Sequence, residues 1–232
     1  MGRGIFITGT DTGVGKTYVA AGIAAGLRRS GVDVGVMKPA ETGCRRKAGR
    51  LIPEDALRLM KSAGTRDLLD LVNPYRFKNP LAPSLAARLE GELIDPVKIK
   101  TAFKKLSRIH DFMIIEGAGG IMVPLRHDYT YLDLVRAFRL PVVIVARPSL
   151  GTINHTLLTI SALRHEGISV LGIAVNYAQD TRRGLAETTS PSVIEEISGI
   201  PVLDVIVHGS RRFDSLVLHC KSRNRCGYPK II

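Results

Sequence analysis

The chain has 232 residues, 45% of them hydrophobic, and carries a formal net charge of +12 at pH 7. That length fits one α/β domain able to bury its own core, and no apolar run approaches the roughly 20 residues that span a bilayer. Met1–Phe6 leads straight into a strand pattern without the signature of a secretory leader, so a cytoplasmic protein with no membrane association is expected.

The three cysteines, Cys44, Cys220 and Cys226, lack short CxxC spacing, which excludes a disulfide framework and a zinc site. The positive charge does not by itself indicate nucleic acid. From Arg211 onward six lysines and arginines stand against Asp214 alone. Elsewhere Lys98, Lys100, Lys104, Lys105 and Arg108 read as solvated helix surface, and a positive surround also suits an anionic substrate. No nucleic-acid partner is expected.

In chain order, Gly4–Thr8 is a short apolar run ending in a Gly/Thr/Asp loop. The spacing of Val19, Ile23 and Leu27 then predicts a helix over 16–29. Further strands are expected over 32–37, 111–115, 141–146, 170–175 and 202–207. Helices fit 54–62, 84–89, 96–108, 131–138, 153–165 and 192–197. Near-continuous Val/Ile runs mark strands buried on both faces, hence a mostly parallel sheet covered by helices. A single doubly wound α/β domain over residues 1–209 is expected. It is followed by a basic tail, 210–232, expected to be loosely ordered, with no helical period in Cys220–Cys226.

In such sheets ligands sit at the carboxyl ends of the strands, which selects 8–17, 38–43, 116–124, 147–154 and 176–180. Thr8-Gly9-Thr10-Asp11-Thr12-Gly13-Val14-Gly15-Lys16-Thr17 lies between a strand and a helix. A phosphate needs closely spaced backbone N–H groups and gains from the positive end of a helix. Gly13 and Gly15 permit the approach, Lys16 reaches the β/γ-phosphates of ATP, and the Thr17 hydroxyl ligates Mg²⁺. The strict pattern has glycine where this chain has Thr10, but the strand–loop–helix setting defines a P-loop nucleotide-binding fold.

Lys38, closing the second strand, either faces the same crevice, where it would neutralise a transferring phosphoryl group, or is exposed at the strand end. Glu116 ends an apolar strand and can serve as a metal ligand or orient water. Gly117, Ala118, Gly119 and Gly120 then offer a backbone cradle. Asp55 sits in a first helical turn, where it either stabilises the helix terminus or contacts metal.

With these residues assembled, the chain resembles the dethiobiotin synthetase family. The resemblance runs from about residue 3 to 208. It rests on Gly9–Thr17, Lys38-Pro39 with Thr42-Gly43, Asp55, Asn73-Pro74-Tyr75 and the Pro80/Pro83 segment. It continues through Glu116–Gly120 with Pro124-Leu125, Leu140-Pro141-Val142, Leu150–His155 and Asn176. The resemblance implies an ATP-dependent ring closure that joins 7,8-diaminononanoate and CO₂ into dethiobiotin, with release of ADP and phosphate. The route implied is a carbamate, then a carbamic–phosphoric anhydride.

Mapped residue by residue, the family pattern gives Mg²⁺ to Thr17, Asp55 and Glu116, and makes Lys38 the catalytic lysine with Thr12 and Lys16 at the phosphates. Nucleotide contacts fall on Gly13, Val14, Gly15, Lys16, Thr17, Tyr18, Glu116, Gly117, Ala118 and Gly119. Asn176 would read the adenine edge. Thr42 would meet the diamine or carbamate, and Gly151, Thr152 and Asn154 the substrate carboxylate. In the family that last helix comes from the partner subunit, so a homodimer with shared sites is implied.

The chain departs from the family in two places. Some members carry an acid where Gly13 stands, and the family's Gly-x-Ile-Pro beside adenine is absent from Asp204–Gly209. Ending the chain near Gly209 is expected to change activity little. Amidating relatives of cobalamin synthesis would need a glutamine-amidotransferase region, for which there is no room. Partitioning and septum-positioning ATPases carry a signature lysine where this chain has Asp11.

Overall fold

The computed structural model describes residues 3–180 and 184–225. Six parallel strands form the central sheet: β1 (Gly4–Gly9), β2 (Val34–Met37), β3 (Phe112–Gly120), β4 (Val142–Ala146), β5 (Val170–Asn176) and β6 (Val202–Ile206), in the order β6-β5-β4-β1-β3-β2. Side chains alternate between the faces, as the strand period of two requires. Ile5, Ile7, Phe112, Ile114, Val143 and Val145 point to one side, and Phe6, Met113, Ile115, Val142 and Ile144 to the other. Both sets are buried, which is why the strands read as unbroken apolar runs.

Helices α1 (Lys16–Arg29) and α2 (Glu54–Ala63) cover the first face. The short α3 (Leu69–Val72) packs Leu69 and Val72 on that core and Leu71 on the second. There α4 (Pro83–Leu89), α5 (Pro96–Leu106), α6 (Tyr131–Phe138), α7 (Thr152–His165) and α8 (Leu185–Ser198) pack. Among the described residues no helix is long and apolar enough to cross a membrane.

Several boundaries differ from expectation for identifiable reasons. β2 begins two residues later because Val32 N–H is taken by Leu27 O in the turn that ends α1. β3 runs past Ile115 through Glu116 to Gly120, because the pairing Ile7↔Glu116 and Gly9↔Gly120 continues beyond the acid. α8 starts before Pro191, where the Glu187 carboxylate accepts the Gly184 N–H at 3.0 Å.

The largest correction concerns the tail. A ninth helix, α9 (Asp214–Arg225), follows β6 and lies on α1. Phe213, Leu216 and Cys220 are buried in the α1 face of the core. Glycines on α1 make the contact possible: a Cβ on Gly22 would meet the Phe213 ring at 2.3 Å, and one on Gly26 would meet Val217 at 2.4 Å. The helical period is carried by Phe213, Leu216, Val217 and Cys220, ahead of the polar stretch that hid it. Cys226 and the rest of the tail lie outside the described residues.

Candidate active site

Three strand ends meet at the phosphate loop. β1 delivers residues 10–15, and Thr10 N–H donates to Val145 O at 3.0 Å, tying the loop to β4. Gly13 and Gly15 adopt positive φ, +78° and +90°. A Cβ on Gly15 would also come within 2.1 Å of Asn176 Nδ2, so both backbone and space demand glycine there. Gly15 is the N-cap of α1 and provides no side-chain cap. The N–H groups of Lys16, Thr17 and Tyr18 therefore remain available for an anion.

Lys16 is buried, and its Nζ reaches back across the loop to Asp11 O at 2.9 Å. Burial, reinforced by the Lys38 ammonium, lowers its pKa to about 8.

Lys38, Glu116 and Asp55 form the charged centre. Lys38 Nζ lies 2.5 Å from Glu116 Oε1, 3.1 Å from Asp55 Oδ2 and 3.2 Å from Gly117 O. The lysine is 3% exposed and Glu116 is fully buried. Burial opposes the ammonium, yet the carboxylates of Glu116 and Asp55 outweigh it and hold Lys38 charged well above its ordinary range. Asp55 also suffers desolvation, but Lys38 carries its pKa below the usual carboxylate value. Glu116 goes the other way. Burial raises it and the neighbouring Asp55 charge adds to the rise, so the Lys38 cation compensates only in part. Thr17 Oγ1 donates to Glu116 Oε1 at 2.7 Å.

These groups line a cavity of about 720 Å³ that runs from Thr12, Gly13 and Gly15 past Lys16, Thr17, Lys38, Asp55 and Glu116 to Thr42 and Pro80–Pro83, with Ala118 and Gly119 in its wall. A smaller cleft of about 260 Å³ is lined by Thr12, Gly13, Val14, Arg147 and Asn176. Asn176 Nδ2 donates to Val14 O at 2.8 Å, while its buried Oδ1 has no protein partner. Thr12 and Gly13 of the phosphate loop line both cavities.

The expected residues Thr12, Gly13, Gly15, Lys16, Thr17, Lys38, Thr42, Asp55, Glu116, Ala118 and Gly119 come together in the larger cavity, and Gly117 joins them through its carbonyl. The Tyr18 side chain turns away. Its hydroxyl donates to Ser210 O, its ring meets Phe213 edge-on, and Arg58 stacks over it. Gly151, Thr152 and Asn154 begin α7 and do not line the large cavity of their own chain. Where the family's proline-containing segment is absent, Asp204 accepts the Leu216 N–H at 3.1 Å and His208 meets Ala178 O at 3.1 Å.

Two residues of the site were not foreseen. Glu41 is 6% exposed and lines the cavity. Its Oε1 accepts Asp55 N–H at 2.9 Å and its Oε2 accepts Ala56 N–H at 3.0 Å. Burial outweighs these hydrogen bonds and raises its pKa to about 7. The signal for it was indirect: α2 starts on Pro53, which offers no side-chain cap, so its free N–H groups need a remote acceptor. The other is Arg147, which lies 3.4 Å from Asp11 and lines the smaller cleft. Asp11, noted only as a replacement for a signature lysine, is therefore half of an ion pair.

Comparison with known proteins identifies the relatives of the chain. The family model described as AAA domain matches residues 3–208. ATP-dependent dethiobiotin synthetase of Thermodesulfovibrio yellowstonii is 43% identical, covering 89% of this chain and 89% of its own. That of Bacillus licheniformis is 47% identical over 88% and 85%, and that of Methanocaldococcus jannaschii 43% identical over 87% and 92%.

Solved structures share the architecture. A ParA family ATPase from Chlorobium tepidum has a TM-score of 0.54 at 15% identity, covering 96% of this chain and 90% of its own. The septum site-determining protein MinD from Pyrococcus horikoshii, complexed with Mg-ADP, has 0.53 at 19%, covering 94% and 86%. At such identities the likeness extends to fold alone. The agreement with the synthetases spans nearly the whole of each chain, so the chain belongs to the ATP-dependent dethiobiotin synthetase family.

Proposed function

We propose that the chain closes the ureido ring of dethiobiotin from 7,8-diaminononanoate, CO₂ and MgATP, releasing ADP and phosphate. The observation that supports this most is the convergence of two buried lysines, Lys16 and Lys38, on a cavity that Thr42 and Pro80–Pro83 also line. Such a crevice suits a phosphoryl group meeting a small co-substrate. The donor set also fits Mg²⁺. Glu116 Oε2 is buried without a hydrogen-bond partner, and the Thr17 hydroxyl and Asp55 carboxylate add hard oxygen ligands beside it. Bound there, the ion would neutralise charge on the β- and γ-phosphates.

In this reading one amine of the diamine adds CO₂ and loses a proton, giving a carbamate. A carbamate oxygen attacks the γ-phosphorus as the bond to the bridging oxygen breaks, and ADP leaves. The second amine then attacks the carbamoyl carbon, phosphate departs with the C–O electron pair, and the ring nitrogen sheds its proton. Lys38 stays charged between two carboxylates, so its part is electrostatic rather than that of a base. Lys16 and the free N–H groups of α1 hold the phosphates in line, and Asn176 takes the adenine edge in the smaller cleft. Gly151, Thr152 and Asn154 would receive the substrate carboxylate of a partner subunit at the start of α7, in a cytoplasmic homodimer.

The test is phosphate release by purified protein given diaminononanoate, bicarbonate and MgATP. Release that does not depend on the diamine would sink the reading, and Lys38→Ala should keep ATP binding while losing turnover. A light-scattering mass of one chain under assay conditions would remove the dimer.

A further inference from the structure

We infer that Glu41 is a positioning residue that clasps the start of α2 and so sets Asp55 in the metal and phosphate centre, an inference that rests on the proposed role of Asp55 toward Mg²⁺. The Asp55 side chain is 43% exposed and meets Lys38 and Thr17. Its main chain is held separately. Glu41 holds the N–H groups of Asp55 and Ala56 with one carboxylate oxygen each, at a helix start whose own N-cap, Pro53, offers nothing.

Glu41 is anchored in turn. The pair Ala40–Glu41 runs parallel to Tyr75–Arg76, and Glu41 O accepts Phe77 N–H at 2.8 Å. It lies three residues beyond Lys38, whose own N–H donates to Val72 O at 2.8 Å. Between Glu41 and Asp55 the chain makes an excursion through an exposed antiparallel ribbon, Arg45–Lys47 with Arg50–Ile52. The clasp closes the base of that excursion, so Glu41 ties the backbone of Asp55 to the segment that follows Lys38. Partners that hold metal ligands in place typically cost ~10- to 100-fold in metal affinity when removed.

The test uses the full chain with ADP and Mn²⁺ as a paramagnetic probe, comparing Glu41→Ala, Glu41→Gln, Asp55→Ala and the Glu41→Ala/Asp55→Ala pair. Glu41→Ala should weaken Mn²⁺ binding to the ADP complex by about 10- to 100-fold while leaving metal-free ADP affinity unchanged. Glu41→Gln, which keeps one oxygen acceptor, should fall between. The double variant should lose no more than Asp55→Ala alone, because both act through one carboxylate. If Glu41→Ala fails to fold, the Gln variant carries the same comparison.

A lowered melting temperature with wild-type Mn²⁺ affinity in the Glu41 variants, while Asp55→Ala loses it, would make Glu41 a helix cap only and overturn the inference. Wild-type Mn²⁺ affinity in Asp55→Ala would overturn the metal role of Asp55, and this inference with it. A rise in KM for the diamine alone would instead make Glu41 a substrate contact and overturn the clasp.

Discussion

Replacing Lys38 by methionine, of similar length but uncharged, separates what the lysine does for the fold from what it does for chemistry. In the wild type Nζ sits 2.5 Å from Glu116 Oε1 in a fully buried setting and 3.1 Å from the half-exposed Asp55. Removing one partner of a buried pair costs about 3–5 kcal/mol, because the remaining charge is left uncompensated. Most of that arises at Glu116, since solvent screens Asp55. Burial already raises the Glu116 pKa, and loss of the cation raises it further.

The folded variant therefore binds a proton that an unfolded glutamate, with a pKa of about 4.3, has released. Stability then falls as pH rises, and the deficit against wild type shrinks toward acid. Urea unfolding over a pH series should show the gap smallest at the acid end and widening as pH rises. Lys38→Met/Glu116→Gln should recover most of the stability at the alkaline end, because an uncharged pair leaves no buried charge. Both variants should still lose ~10²- to 10³-fold in turnover, the usual cost of one electrostatic contact to the transition state. A single variant as stable as wild type at the alkaline end, with no pH slope of its own, would refute this account of the centre.

Three further outcomes follow from particular contacts. Gly15→Ala places a Cβ 2.1 Å from Asn176 Nδ2 at φ +90°. The strain of about 1–2 kcal/mol for left-handed backbone, with the displaced Asn176, should abolish ADP binding in a fluorescence titration while the far-UV spectrum stays folded. His110 bonds Asp33 and Asp67 at 3.0 and 2.9 Å. Burial lowers its pKa, but the two carboxylates more than offset this and raise it. Its stabilisation is thus full below the unfolded value of about 6.5 and fades as pH climbs through the higher folded value. His110→Gln should flatten that part of the stability curve, and parallel curves would rule the contribution out. Ending the chain at Gly209 removes Phe213, Leu216 and Cys220 from the core. At roughly 1.5–3 kcal/mol per large buried side chain, a fall of several degrees or more in melting temperature is expected; an unchanged value would mean α9 does not pack on α1.

The parts of this molecule that were legible in the sequence are those whose cause is local. Lys16 and Thr17 follow a strand and open a helix, Glu116 ends an apolar run, and Lys38 closes another, so strand-end geometry brings them together with little dependence on the rest of the chain. Even the open choice at Lys38 was settled by one non-local fact: Glu116 arrives from the adjacent strand 78 positions later. α9 escaped notice because its docking surface is a pair of glycines on another helix, Gly22 and Gly26, and an absent side chain announces nothing about what fills its space.

Glu41 escaped for a related reason. Beside Thr42 it reads as a polar loop residue, and what gives it a role is a missing cap 12 positions away at Pro53. Unsatisfied backbone groups are as constraining as charges, since a buried N–H without an acceptor costs about as much as a lost hydrogen bond. A helix that opens without Ser, Thr, Asp or Asn therefore poses a question that the rest of the sequence must answer. Here the answer is a carboxylate in the wall of the candidate site, so the start of a helix and the placement of Asp55 become one structural problem.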